Sequence, residues 1–145
     1  MSGKTSYLST EMLKVLRGDS PATYTQTYAT LFTTAPTSDS PGGVAASVEW
    51  SPTTARIMVS SDGATQPYWL PTETTTDGAQ VRNVGKIEWP TIAGLSGSVT
   101  IVAVGIYTDS SGGSLLYWRD LVEPRLVNNG DTILFMHNTF KVTEQ

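Results

Sequence analysis

The stretch "VAVGIYTDSSGGSLLYWRDL", Val102 to Leu121, frames a polar, glycine-rich hexapeptide between two apolar runs. Its upstream arm belongs to "SVTIVAVGIYT", which is apolar at both parities and so reads as a central strand covered on both faces. "SSGG" then reverses the chain, and "SLLYW" returns beside the first arm as its antiparallel partner. The glycines serve the backbone geometry of the turn. No reactive group sits in this loop, so the most hydrophobic part of the chain frames a structural hairpin.

Outward from the hairpin, the same grammar repeats. "NNGDT" makes a turn before a strand "TILFMH", and "NTFKVT" alternates once more at the end. Upstream, "TYTQTYATLF" puts Tyr24, Tyr28 and Phe32 on one face and Thr25, Thr27, Ala29 and Leu31 on the other, which marks a strand. "TTAPTSDSPGGVAA" follows as a loop. Further strands are expected at Val48–Trp50, Ala55–Ser60 and Gln80–Trp89, with Ser61–Gly63 a tight turn of the Asp-Gly type.

The helix expected here lies in "STEMLKVLRGDSP". Ser9 or Thr10 can cap it, and Glu11 then stands in the first turn, where the helix dipole favours a negative charge. Leu8, Met12, Val15 and Leu16 recur at helical spacing before Gly18 and Pro21 stop the pattern. So short a helix is not stable alone, and its apolar stripe must dock on the body or on another subunit. Seven or eight short strands behind one small helix point to an all-β fold: an antiparallel β-sandwich, jelly-roll-like. Residues 1–20 form an N-terminal arm with the helix, and residues 21–145 the sandwich domain.

Composition narrows the function. At 145 residues the chain fits one domain with a core of its own. Charged residues make up 15%, against roughly 25% in an ordinary globular protein. Ser and Thr stand in for them, which suits strands and a surface partly covered by neighbours. The net charge is −4, and the nine Lys and Arg are scattered, so no basic run is built for nucleic acid. The chain has no Cys, hence no disulfide and no thiolate metal site. Its longest apolar run, Val99–Tyr107, is about half of the roughly 20 residues a membrane helix needs. The first ten residues, "MSGKTSYLST", lack the apolar core of a signal peptide. Neither membrane insertion nor export by that route is expected.

No catalytic, cofactor or metal site is expected. His137 is the single histidine and reads as an ordinary residue at a strand end. The sequence has no G-x-S-x-G, and "GLSGS" at Gly94–Ser98 sits in a turn. Asp19, Asp39, Asp62, Asp77, Asp109 and Asp131 all neighbour Gly, Ser or Thr in turn contexts, where Asp bonds its own backbone. "DSSGG" lacks the spaced acidic ligands of a calcium loop. The functional candidate is "QPYWLPTE", where Tyr68 and Trp69 stand between two prolines. Aromatics displayed there suit a protein contact or a sugar; the plainer reading is that Trp69 folds back onto the body.

"IEWPTIAG" followed by "VTIVAVGIYTDSSGGSLLYWRDLVEPRLVNNGDTILFMHNTFKVT" resembles a family of small phage virion proteins, variously labelled head-fibre, head-decoration or tail-fibre proteins. Gly105, Ile106, Tyr107, Asp109, Gly112, Gly113, Leu115, Leu116 and Tyr117 carry the first part of its pattern. Pro124, Arg125, Val127, Gly130 and Asp131 carry the second. "YLSTEMLKVLRG" and "YATLFTTAPT" are similar to the family's helix and first strand, while Arg56 alone is kept of its second-strand pattern.

The resemblance implies a bacteriophage structural protein, most simply a capsid decoration (cement, or head-fibre base) protein on the outer surface of the head. It would bind the major capsid protein lattice as a homo-oligomer, with a homotrimer favoured. Leu8, Met12, Val15, Leu16, Tyr68 and Trp69 are the expected partner contacts. The alternative is a tail-fibre or tail-tip module that recognises a host glycan through the aromatic patch.

Overall fold

A computed structural model describes residues 2–24, 26–36, 48–50, 56–59, 69, 72–76 and 78–144. The hairpin that decides the fold is present as read. Strands β8 (Val99–Tyr107) and β9 (Leu115–Val127) pair antiparallel, with Ile106 opposite Tyr117 and Gly105 opposite Trp118. Ser110–Gly113 form the exposed turn between them. Gly112 and Gly113 have φ of 66° and 68°, two successive left-handed positions that side chains resist. Thr108 closes the turn: its N–H donates to the Ser114 carbonyl at 3.0 Å, and its Oγ1 accepts from Ser114 N–H at 3.0 Å.

Apolar residues at both parities of β8 face two cores. Ile101, Val104 and Ile106 join the larger cluster, with Ala29, Leu31, Trp89 and Ile92. Ala103 and Tyr107 join the smaller one, with Phe32, Leu115 and Trp118. A register shift between Ile101 and Ala103 moves these two residues to different cores. Gly105 is required where it stands. A Cβ there would meet Phe32 Cε2 at 2.7 Å and Leu115 Cδ1 at 2.8 Å, so the ring of Phe32 lies over bare backbone.

Strand β2 (Tyr28–Thr34) pairs with the other edge of β8, and its alternation is the one expected: Ala29 and Leu31 enter the larger core, Phe32 the smaller. The strand starts at Tyr28, later than the pattern suggested. Tyr24 leaves the sheet because its hydroxyl donates to Tyr7 on the helix at 2.7 Å. Strands β3 (Val48–Glu49) and β4 (Ile57–Met58) both pair with the free edge of β2. The expected turn at Ser61–Gly63 lies outside the described residues.

The first described residues join the sheet. Strand β1 (Ser2–Lys4) pairs with β9 at residues 117–119, completing a six-stranded antiparallel sheet. Helix α1 (Ser6–Lys14) follows and runs into a 3₁₀ turn at Val15–Arg17, ended by Gly18 with φ 79°. Its cap is Thr5, not Ser9 or Thr10. Thr5 Oγ1 accepts from Leu8 N–H and donates to the Leu115 carbonyl at 2.5 Å, while Thr5 N–H donates to the Leu116 carbonyl. Leaving β1 on β9 therefore fixes where the helix starts. Glu11 accordingly falls in mid-helix rather than the first turn, and it is buried. It accepts from Lys14 at 2.6 Å and from Ala22 N–H at 2.8 Å, tying the returning chain to the helix.

Two smaller antiparallel sheets complete the described part. One contains β5 (Glu73–Thr75), β6 (Gly78–Arg82) and β11 (Lys141–Glu144), in the order β11-β6-β5; the other pairs β7 (Ile87–Glu88) with β10 (Leu134–Phe135). The strand expected over Gln80–Trp89 is thus divided. Asn83, wholly buried, causes the break: its Nδ2 donates to the Gly85 and Met136 carbonyls, and its Oδ1 accepts from Phe140 N–H. An edge-to-face series, Trp89–Phe135–Phe140–Trp69, seats these strands on the larger core. The fold is mostly β, antiparallel, with one short N-terminal helix. Its strand order among the described residues establishes neither a jelly roll nor a two-sheet sandwich.

Candidate interaction surface

The helix divides its apolar residues between body and solvent. Tyr7 and Leu8 pack against the larger core. Met12, Leu13, Val15 and Leu16 do not: they are 42%, 58%, 60% and 83% exposed. Of the four expected contact residues on the helix, Leu8 is therefore half-buried in the subunit, and Met12, Val15 and Leu16 are open. Lys14 and Arg17 stand among them, Lys14 paired with Glu11 and Arg17 within 3.4 Å of Asp19. Hydrogen bonds from Lys14, then from Ala22 N–H, hold the Glu11 carboxyl below its usual range. The helix is pinned at its start and middle while its end projects apolar side chains.

The aromatic candidates lie elsewhere. Trp69 bridges Asn83 and sets its ring edge-to-face with Phe140 at a centroid distance of 5.8 Å, half-buried against the larger core. Tyr68 lies outside the described residues. His137 is exposed in the turn after β10; its Nδ1 meets the Val84 carbonyl, and its Nε2 contacts the Asn138 amide at 2.8 Å. Asp109 and Asp131 do serve turns, accepting from Thr108 Oγ1 and Asn128 N–H. Among the described residues no group of three or more His, Asp or Glu could hold a metal ion, and no helix is long and apolar enough to cross a membrane.

A second apolar surface escaped the sequence reading. Between Ala103, opposite Asp120, and Ile101, opposite Arg125, one residue of β8 faces four of β9. This stretch, Leu121–Pro124, exceeds its partner by three residues and bows out of the ladder. That bow and residues 131–136 enclose a groove of about 670 Å³, floored by Leu31 and Ile101. Val122, Leu126, Leu134 and Met136 line it at 92%, 63%, 41% and 59% exposure. Its charged residues are Glu123, Arg125 and Asp131. The available signal was Pro124, because proline inside a strand marks a bulge or an edge.

Arg56 also gains a role that its sequence context did not reveal. Its guanidinium, on a side chain 9% exposed, takes both Glu49 oxygens at 2.7 and 2.9 Å. It also donates to the Asp109 and Gly112 carbonyls at 2.7 and 2.6 Å and lies 3.5 Å over the Tyr107 ring. One cation thus fastens the glycine turn to the far edge of the sheet. Burial raises the Glu49 carboxyl, but hydrogen bonds from Arg56 and Thr30 outweigh it and leave the group below its usual range.

Among the described residues these are surfaces and fasteners, without a reacting constellation. A family model described as podophage GP4 fiber I protein gp80 matches residues 3–143. The chain belongs to that family. It is a phage fibre protein, a structural component of the virion and not an enzyme. No curated protein matches it. In the fibre protein the match runs from β1 through β11, so the open helix end and the groove both fall within the family's span.

Proposed function

We propose that this fibre protein is mounted on the outer surface of the assembled head as a decoration or head-fibre-base protein. It binds the major capsid protein lattice as a homo-oligomer, a trimer being favoured. The observation that carries this reading is the open apolar end of α1, Met12 to Leu16, on a charge-poor subunit: such a face calls for a covering partner. Residues 1–20 act as the docking arm. Residues 21–145 act as the body, whose small sheets lie over the larger core of the main sheet in the manner of a sandwich. Binding to the assembled lattice and not to free subunits stabilises the head by mass action.

The family description names a fibre without its attachment point, so a tail fibre that contacts a host glycan is the second reading. Less supports it here, since Trp69 already packs its ring against Phe140. The test is the double change Leu13→Ser and Leu16→Ser. Loss of binding to purified heads, with β-rich circular dichroism retained, is the expected result. Wild-type binding to heads removes the helix end from the proposal.

A further inference from the structure

Asn129 and Gly130 stand together in the exposed turn between β9 and β10. An asparagine before glycine is prone to lose its amide, because glycine has no side chain to shield its nitrogen from the preceding amide carbon. The fold requires both residues. Gly130 has φ 89°, a left-handed position that side chains resist. Asn129 makes a two-way bond with Leu95: its Oδ1 accepts from Leu95 N–H at 2.7 Å, and its Nδ2 donates to the Leu95 carbonyl at 2.6 Å. Two backbone bonds complete the corner, Gly130 N–H to the Ile92 carbonyl at 2.8 Å and Ile92 N–H to the Asp131 carbonyl at 2.9 Å. Ile92 is buried in the larger core, so the corner ties an exposed turn to the interior.

We infer that Asn129 is a deamidation site that the fold holds closed, and that the modification, once made, opens the corner irreversibly. In the reaction Gly130 N gives up its proton and bonds to Asn129 Cγ. The Cγ–Nδ2 bond breaks, and Nδ2 leaves with that proton as ammonia. Water then opens the cyclic imide at either of its carbonyls, leaving aspartate or isoaspartate at position 129. In the closed corner every participant is engaged elsewhere. The proton that must leave is donated to Ile92, and the carbon to be attacked is held by both amide atoms on Leu95. Reaction therefore proceeds through local opening of the corner, and its rate reports how often that opening occurs.

The product cannot close as before. A carboxylate has no proton to donate to the Leu95 carbonyl and sets oxygen against oxygen there. Isoaspartate adds a carbon to the main chain inside a turn braced by Asn128 N–H on Asp131 Oδ2 at 2.7 Å. Asp131, Thr132 and Ile133 continue directly into the groove wall, so the change reaches the interaction surface. None of this depends on where the fibre protein is mounted.

The test compares the folded chain with the same chain unfolded in guanidinium chloride, both warmed at one mildly alkaline pH. Conversion at residue 129 is followed by peptide mass, with fragmentation separating isoaspartate from aspartate. The folded chain should convert at least about tenfold more slowly, because only its open fraction reacts. Asn129→Asp supplies the product directly. It should keep β-rich circular dichroism, while hydrogen exchange at Leu95 and Gly130 accelerates at least about tenfold. Equal conversion in the folded and unfolded chains overturns the closed site, and wild-type exchange in Asn129→Asp overturns the opening. The first comparison uses the unaltered chain, so it decides the closed site whether or not the variant folds.

Discussion

Replacing Arg56 with Ala removes the fastener between the glycine turn and the sheet edge. Four hydrogen bonds are lost, two of them to a carboxylate, together with the stacking on Tyr107. Hydrogen bonds to charged groups contribute about 1.5–3 kcal/mol each, but contacts made by one side chain do not add. Breaking a buried ion pair by removing one partner costs about 3–5 kcal/mol. Glu49 keeps 27% of its side chain in water, which places the loss near the lower limit, at about 3 kcal/mol. For a chain of this size that corresponds to a fall in Tm of roughly 10 °C. Arg56→Lys retains the charge without the planar fork and should lose about half as much. Urea unfolding of the three proteins, followed by circular dichroism, reads these values directly. A loss below about 1 kcal/mol for Arg56→Ala would show that the turn holds without its guanidinium. The change also alters the response to acid. Glu49 titrates below its unfolded value, so its contribution is complete above the unfolded pKa and is lost as pH falls through the folded one. In Arg56→Ala this part of the acid limb should flatten, while Glu11 and Glu73, also lowered, titrate as before.

Gly105→Ala forces a methyl group against Phe32 and Leu115 and should destabilise by about 1–3 kcal/mol in the same assay; a neutral result would mean the smaller core yields easily. Ser110→Ala with Ser111→Ala should change stability by no more than about 0.5 kcal/mol, both positions being exposed. Gly113→Val should cost more than about 1 kcal/mol, because φ is 68° and a Cβ would collide with Thr108 and Asp109. Equal effects from the serine and glycine changes would contradict this account of the turn. Asn83→Ala leaves the Phe140 N–H without its side-chain acceptor and removes the Nδ2 donor from the Gly85 and Met136 carbonyls, of which Met136 keeps the two donors of Thr139. It should cost at least about 2 kcal/mol, and hydrogen exchange at Phe140 should accelerate.

The central hairpin was legible because its signals are local: apolar residues at both parities, two adjacent glycines, and an apolar return. The two alternating faces of β2 were legible for the same reason. What escaped depends on distant partners. Thr5 becomes the helix cap through the carbonyls of Leu115 and Leu116, over a hundred residues away, so nearby Ser9 and Thr10 were the natural choices. Asn83 interrupts an apparently continuous strand because its amide serves Met136 and Phe140 across the fold. On the candidate surface, helical spacing identified Met12, Val15 and Leu16 but did not show that Leu8 faces inward. The groove was hidden because it is made by the four-against-one bow in β9 together with residues 131–136, a pairing between distant stretches that no local pattern announces. Arg56 stood out through family resemblance, and its hold on the turn required the contacts made in space.

Localisation on the particle tests the central claim most directly. Virions carrying gold-labelled copies of the fibre protein should show label distributed over the whole outer surface of the head, in register with the capsid lattice. Label confined to the tail, with bare heads, would contradict the account.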